Sequence, residues 1–192
     1  NVHLPFFIGF GNHDYLGCTD CYLNYTGTGK WMMPSAYYSI DYGDLLAIMI
    51  DTENFNSEQQ DWLTSELEKP QKWKVIFGHR PIITNDAVHT GEQWSGINEF
   101  QAIACDKADV YISGHAHLME DMGNPEGCGM RQLVSGGGGT SVRNYTDAYP
   151  SWFELSDNGF VSVEISENAL IFHYIDYHGN EVYTSQIEKV SY

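Results

Sequence analysis

Val110-Tyr111-Ile112-Ser113-Gly114-His115-Ala116-His117 is the stretch around which the rest of the chain can be organised. Its apolar, β-branched beginning is typical of a buried strand, and Gly114 ends that strand where the backbone can turn sharply. Side chains alternate along an extended chain, so His115 and His117 should point to the same side. Neutral imidazole is a common ligand of transition metals. The stretch therefore predicts a strand end with two metal ligands, although a polar loop with two chance histidines would give the same local pattern.

The same arrangement occurs twice more in the chain. Lys74-Val75-Ile76-Phe77-Gly78-His79 is an apolar strand followed by glycine and histidine. Leu4 to Gly9 is a third apolar strand, and it leads to Gly11-Asn12-His13-Asp14. In open α/β sheets, binding sites lie outside the carboxyl ends of the strands. We therefore expect the ligands that follow the three strands to converge on one pocket.

In this order, the three motifs resemble the later motifs of calcineurin-like metallophosphoesterases, and most closely those of the purple (tartrate-resistant) acid phosphatase branch. Leu4-Pro5, Pro81, His89 and Leu133-Val134-Ser135-Gly136-Gly137 also fit that branch. The resemblance extends over nearly the whole chain. It implies an α/β (α+β) fold, namely a four-layer αββα sandwich of two mixed β-sheets flanked by helices. The residues themselves indicate α/β segments followed by a β-rich end.

The resemblance also implies a domain organisation. Residues 1–192 would be the carboxyl-terminal part of a single metallophosphoesterase catalytic domain, incomplete on its N-terminal side. The family's earlier motifs carry two metal-binding aspartates and, in the purple branch, a metal-binding tyrosine, and no stretch here matches them. We therefore expect an upstream segment that carries Asp ligands to be a partner of this chain. Residues 1–192 alone should neither hold a stable metal pair nor catalyse.

The site residues follow from the resemblance. Asn12, His79 and His115 would hold one metal ion and His117 the other, and no organic cofactor is expected. The purple branch implies Fe beside Fe, Zn or Mn. A hydroxide bound by the two metals would attack a small phosphorylated substrate, which makes hydrolysis of phosphate monoesters the expected reaction.

Three further residues are candidates for catalysis. His13 follows a metal ligand directly, and His89 lies on a long loop after His79. Either imidazolium could bind the phosphate or protonate the leaving alkoxide, and Asp14 would orient His13. The alternative for His89 is an exposed loop histidine. The strand-end Asp51 could reach the site, although a cap or turn is the more usual role.

Other functions are compatible with the same sequence. A nucleotidase or phosphodiesterase of the same superfamily would use the same chemistry. A secreted, non-catalytic binding or scaffold protein on the same fold is an alternative of a different class. The intact ligands argue against loss of catalysis, whereas the absent aspartates keep that alternative open.

The composition of the chain restricts the partners that it can bind and the cellular compartment in which it is expected. The 192 residues carry a formal net charge of −17, which argues against nucleic acid and anionic membrane surfaces as partners. No apolar run approaches the ~18 residues of a membrane span. Four cysteines allow three pairings, and we favour disulfides over free cytosolic thiols. Together with possible glycosylation acceptors at Asn24-Tyr25-Thr26 and Asn144-Tyr145-Thr146, they predict a secreted, lysosomal, vacuolar or other extracytoplasmic location.

Periodicity and turn residues predict the remaining elements. A capping-box pattern at Ser57-Glu58-Gln59-Gln60 begins a helix that Pro70 ends. The other expected elements are strands at 36–41, 45–50, 133–135, 160–165, 170–175 and 181–187, a helix at 97–104, and loops at 15–34, 80–96 and 119–130. We interpret His3, His173 and His178 as structural. Gly136 to Gly139 could cradle phosphate, but tight backbone near the metals is the plainer interpretation.

Overall fold

A computed structural model describes residues 4–25, 27 and 29–189, so His3 and the Thr26 of one glycosylation acceptor lie outside the described residues. The strands are Phe6–Phe7 (β1), Trp31–Met32 (β2), Tyr38–Tyr42 (β3), Leu45–Met49 (β4), Trp73–Phe77 (β5), Val110–Ser113 (β6), Met119–Asp121 (β7), Arg131–Ser135 (β8), Phe153–Leu155 (β9), Gly159–Ile165 (β10), Ala169–Asp176 (β11) and Glu181–Glu188 (β12). The α-helices are Thr19–Leu23 (α1), Ser57–Leu67 (α2) and Ile97–Ala104 (α3), and Asp14–Leu16 forms one 3₁₀ turn.

The central element is a mixed sheet of seven strands in the order β3-β4-β5-β6-β8-β7-β9. Its middle strands β4, β5, β6 and β8 run parallel, so their carboxyl ends share one edge. Phe77 of β5 is in register with Ile112 of β6. This register places Gly78-His79 beside Gly114-His115, where the Gly114 N–H donates to the His79 carbonyl at 3.0 Å. The predicted convergence of two strand ends is therefore a consequence of parallel pairing.

The two faces of this sheet pack against different layers. Ile48, Ile76 and Tyr111 face α2 and α3 and are fully buried there with Phe100. Alternate residues on the same strands, including Val75 and Val110, pack on the other face against β10, β11 and β12. Apolar residues on both faces are expected of parallel strands covered on both sides. Because both faces of the sheet are covered, these strands appear in the sequence as continuous apolar runs, without an alternation of apolar and polar residues.

The layer opposite the helices consists of two separate sheets in the described residues. Strands β10, β11 and β12 form an antiparallel sheet, as predicted, and β1 pairs in parallel with β2. Between β1 and β10 lies a groove of about 350 Å³ lined by apolar side chains that include Met49, Phe77, Val161 and Val163. We call it the β1–β10 groove. The fold is thus mixed α/β with several sheets and few helices, all on the described part of the chain.

Two helices start differently from the prediction. The N-cap of α2 is Asn56, not Ser57, because the Asn56 side chain accepts a hydrogen bond from the Gln59 N–H at 3.0 Å. The Gln59 side chain is buried instead and bonds both N–H and C=O of Asp51. Helix α1 was not predicted, since five residues are too few for a helical period to show.

The prediction of a loop at 119–130 was wrong at its beginning, where β7 forms. Two acidic residues hide this strand in the sequence. Glu120 and Asp121 are both fully buried, and both have hydrogen-bond partners. Those of Asp121 are the guanidinium of Arg131 and the Ser185 hydroxyl. Because these partners are distant in sequence, the segment looks like a polar loop. Strand β9 was missed as well, and so was β2 inside the predicted loop at 15–34.

The four cysteines form two disulfides, Cys18–Cys21 and Cys105–Cys128, which confirms the disulfide prediction and selects one of the three pairings. The first is exposed at the start of α1, and the second is buried in the core below α3. Among the described residues, no helix has both the length and the apolar character needed to cross a bilayer.

Candidate metal centre

The ring nitrogen of one predicted ligand lies within hydrogen-bond distance of two others, each carried by a different turn. Nε2 of His79 is 2.8 Å from Oδ1 of Asn12 and 3.1 Å from Nδ1 of His115. Ligands that sit at about 2.0–2.2 Å from a transition metal lie roughly 3 Å apart around it. The three atoms therefore have the spacing of ligands on one face of a metal ion. Nitrogen and neutral amide oxygen donors of this kind fit a metal ion of borderline hardness.

A strained turn at His115 sets the direction of the His115 and His117 side chains. His115 has φ +65°, a left-handed conformation that bulky residues rarely adopt. The segment turns tightly on both sides, since the Ala116 N–H donates to Gly114 and the Leu118 N–H to Ala116. The expectation of an extended segment through His115 and His117 was therefore wrong. Both imidazoles still line one cleft, because two successive tight turns replace the alternation of a strand.

The cleft has a volume of about 560 Å³ and collects nearly all the predicted residues. It is lined by Asn12, His13, His79, His89, Gly114, His115, His117, Ser135, Gly136, Gly138, Gly139, Thr140 and Arg143. Asp14 is not among them. Its carboxylate accepts a hydrogen bond from the Gly11 N–H at 2.8 Å, so it stabilises the turn that carries Asn12. The orientation of His13 by Asp14 stays a prediction.

Two glycines allow the backbone to approach the site closely. A Cβ on Gly11 would lie 2.8 Å from the His79 ring, and a Cβ on Gly136 would lie 1.6 Å from the Ala116 carbonyl oxygen. Both distances are shorter than any real contact, so a side chain at either position would displace a metal-ligand turn. The glycine run after β8 thus supports the interpretation of tight backbone.

Burial keeps the imidazoles neutral. It lowers the pKa of His79 to about 3, and the neighbouring charges of His115 and Arg80 contribute in the same direction. The pKa of His115 is also lowered, chiefly by burial, against the opposing effect of Glu92. Neutral imidazole is the form that binds metals, so His79 need not lose a proton at neutral or mildly acidic pH, and the lowered pKa of His115 favours the same form.

Sequence reasoning missed Glu92, which lies behind His115. Its Oε2 is 3.1 Å from Nε2 of His115 and 2.6 Å from Nδ1 of His89, and its other oxygen pairs with Arg80. Burial raises the pKa of Glu92, but hydrogen bonding to His115 and the charge of Arg80 outweigh it and lower the pKa. The spacing of three residues from His89 was the signal that could have pointed to Glu92.

His89, Glu92 and His115 could in principle hold a metal ion themselves, because their ligand atoms lie within 4.8 Å of one another. The position of Arg80 argues against this, since its Nη1 lies 3.4 Å from Nε2 of His115. Two positive charges about 4 Å apart repel by roughly 4 kcal/mol at an effective dielectric of 20. We therefore assign Glu92 to the hydrogen-bonded support of His115, on the side away from Asn12 and His79.

A buried carboxylate organises the surroundings of His117. Oδ2 of Asp86 accepts from the His117 N–H at 3.0 Å, and Oδ1 accepts from the N–H groups of Val88 and His89. The Nδ1 of His117 lies 3.2 Å from the Ser141 carbonyl. Because that carbonyl requires a proton on Nδ1, the other ring nitrogen of His117 remains available to a metal.

Comparison with known proteins agrees with this geometry. The profile of the calcineurin-like phosphoesterase family matches residues 1–119. The chain belongs to the calcineurin-like phosphoesterase family. Purple acid phosphatase 4 of Arabidopsis thaliana is 24% identical over 99% of the chain, and tartrate-resistant acid phosphatase type 5 of Mus musculus is 24% identical over 97%. These alignments cover 64% and 68% of the relatives' own lengths, so the chain spans less than two thirds of the plant protein.

A solved structure shares the fold of this phosphoesterase chain. It is described as GAP50, the anchor in the inner membrane complex of Plasmodium, and superposes with a TM-score of 0.82 at 23% identity, covering 97% of this chain and 67% of that one. The expected metallophosphoesterase fold is thereby confirmed.

The remaining candidate residues make structural contacts. Asp51 is buried and accepts from the N–H groups of Glu53 and Asn54 and from the Tyr15 hydroxyl, which is the turn-forming role. His173 pairs with Glu181 at 2.6 Å, at the outer sheet. The ring of His178 packs on Tyr177.

Proposed function

We propose that the chain provides the histidine-rich part of an acid phosphatase that hydrolyses phosphate monoesters at a binuclear metal centre. The observation that carries the proposal is the convergence of Asn12, His79 and His115 at 2.8–3.1 Å beside an open cleft. Metal ions bound there would polarise the phosphoryl oxygens and acidify water. Fe with Fe, Zn or Mn would suit these donors.

The second metal ion would be held by His117. Among the described residues, no carboxylate shares that position, since Asp86 and Glu92 are engaged by backbone N–H groups, histidines and Arg80. Four neutral ligands would leave the charge of two cations uncompensated. We therefore propose that residues 1–192 act as the carboxyl-terminal part of one catalytic domain whose carboxylate ligands come from outside this sequence.

Two histidines would transfer a proton and bind the phosphoryl group. His89 is fixed through Nδ1 by Glu92, and its ring lies 4.0 Å from the ring of His115. Its other nitrogen would donate a proton to the leaving oxygen. His13 is exposed at the rim of the cleft, where it would bind the incoming phosphoryl group.

The test of the proposal is metal content measured together with turnover. In the protein with its complete ligand set, His79→Ala or His115→Ala should remove one metal ion and most phosphatase activity. His173→Ala, at the outer sheet, is the matched control and should change neither. Metal content that stays at the wild-type level in both site variants would refute the assignment.

Two alternatives remain, and assays with different substrates distinguish them. A nucleotidase or phosphodiesterase would prefer nucleotides or diesters over simple monoesters on the same site. The likeness in fold to a protein described as an anchor favours a non-catalytic scaffold as the second candidate, which would bind no metal pair and turn over none of these esters. The two disulfides support the proposal of a secreted, lysosomal, vacuolar or other extracytoplasmic location.

A further inference from the structure

We propose that the cleft contains a second anion-binding subsite built around Arg143, and that the substrate carries an acidic group besides its phosphate. This inference rests on the proposed phosphatase function and names a substrate class for it. The class is phosphate monoesters whose organic part bears a carboxylate or a second phosphate.

The first observation is an incompletely bonded guanidinium. Nη1 of Arg143 is buried and makes no hydrogen bond, although Arg143 lines the cleft. The acidic oxygen near it is Oδ2 of Asp86, at 3.6 Å, beyond the length of a hydrogen bond. That oxygen already accepts from the His117 N–H. Because Nη1 itself is closed to solvent, an anion in the cleft would contact the rest of the Arg143 side chain, which is 27% exposed.

The second observation concerns charge. The chain contains three arginines, and the other two are saturated: Arg80 by Glu53 and Glu92, and Arg131 by Asp121. Among the residues that line the cleft, Arg143 is the permanent cation. On a chain with net charge −17, one cation placed inside the cleft is a specific attraction for an anion.

The third observation is that the segment before Arg143 is fixed beside the metal ligands. The Arg143 N–H donates to the His117 carbonyl at 3.0 Å, and the Ser156 hydroxyl donates to the Arg143 carbonyl. Asp86 keeps the guanidinium beside the main chain of His117, whereas the His117 side chain lines the cleft in which the metals would bind. A phosphoryl group on the metals and an anion on Arg143 would thus be separated by about one imidazole, which the 560 Å³ cleft can accommodate.

The experiment compares 4-carboxyphenyl phosphate with its methyl ester, which differ in one charge on the leaving group. In the protein with its complete ligand set, Arg143→Gln should lower kcat/KM for the acid about 10- to 100-fold, mainly through KM, as expected for a lost charge-assisted hydrogen bond. The ester should lose less than about threefold. Arg143→Lys should restore part of the preference, and Lys107→Gln, which removes an exposed cation far from the cleft, should change nothing.

Equal losses on both substrates would overturn the proposal, because Arg143 would then act on the phosphoryl group or on the fold. No loss on either would overturn it as well. If the wild-type protein hydrolyses neither ester, the proposed function fails, and calorimetry with 4-carboxybenzylphosphonate and its carboxyl methyl ester still tests the subsite. Tighter binding of the acid that disappears in Arg143→Gln would support the subsite, and equal affinities would refute it.

Discussion

At the scale of residues, two candidate ligands, His115 and His117, are held by partners on their second ring nitrogen. Glu92 contacts Nε2 of His115, so Nδ1 faces Asn12 and His79 without a proton. We predict that Glu92→Gln weakens metal binding about 10- to 100-fold, because the carboxylate both orients the ring and raises its basicity. Competition with a chelator measures this affinity. Glu126→Gln, on an exposed turn, is the control, and an unchanged affinity in Glu92→Gln would contradict the role.

His89 provides a second prediction at this scale. Loss of its proton transfer in His89→Ala should lower kcat by about 10²- to 10⁴-fold while the metal content remains complete. The loss should be smaller for nitrophenyl phosphate than for alkyl phosphates, since a good leaving group needs no proton. Steady-state kinetics with both substrates, together with metal analysis, provide the measurement. Equal losses on the two substrates would indicate binding or structure instead.

The sequence predicted the residues whose signal is local and missed those whose role depends on distant contacts. Asn12, His79, His115 and His117 each follow an apolar strand and glycine, a pattern visible within eight residues. Glu92 and Arg143 have no such pattern. Glu92 reaches Arg80 and His115 across 12 and 23 positions, and Arg143 reaches Asp86 across 57, so only the folded chain shows these contacts.

At the scale of elements, β7 carries a buried acid that should make stability depend on pH. Burial raises the pKa of Glu120 to about 7 from 4.5, with repulsion from Glu154 and Asp86 acting in the same direction. Between those values the folded protein binds more protons than the unfolded chain. Its free energy of unfolding should therefore fall as pH rises from 4.5 to 7, by up to about 3 kcal/mol from this residue.

Glu120→Gln tests this dependence. The amide can still accept from the Asn85 N–H and reach the Thr84 hydroxyl, but it does not ionise. Relative to the wild-type protein, the variant should become more stable between pH 5 and pH 8. Urea unfolding at both pH values measures the difference, with the exposed Glu167→Gln as control. A difference that is the same at both pH values would show that Glu120 does not titrate in this range.

The two disulfides should contribute unequally. Cys105–Cys128 closes a loop of 23 positions in the core, so replacing both cysteines with alanine should cost about 3 kcal/mol of stability. Cys18–Cys21 spans three positions and is exposed, so Cys18→Ser with Cys21→Ser should cost clearly less. Denaturant unfolding of the two double variants compares them. A larger loss at the exposed pair would contradict this order.

Elements with strong periodicity were predictable, and short or polar elements were not. The predicted ends of strands β10 to β12 and of helix α3 lie within one residue of the observed ends. Strand β7 was missed because the acids at its centre are satisfied by Thr84, Asn85 and Arg131, which come from other segments. Whether an acidic residue is buried depends on contacts with distant segments, and the periodicity of the local sequence does not reveal those contacts.

At the scale of the whole molecule, the β1–β10 groove leaves apolar side chains of the central sheet partly uncovered. Strand β10 and the segment Gly9-Phe10 that follows β1 border it, and β1 and β10 each have one edge without a partner strand among the described residues. We predict that residues 1–192 expressed alone bind a hydrophobic dye such as ANS, self-associate and do not retain two metal ions. Sedimentation and metal analysis are the measurements. A monomeric protein with two metals and turnover would show that residues considered structural here, such as Asp14 or Asp51, serve as ligands.

Asp86 has a consequence for turnover. One carboxylate anchors the start of the His89 loop through two N–H groups and the main chain of His117 through a third. Movement of the loop away from the cleft as a lid would break hydrogen bonds of Asp86 either to the loop or to His117. We therefore expect product to leave through a mouth that stays open rather than by movement of this loop.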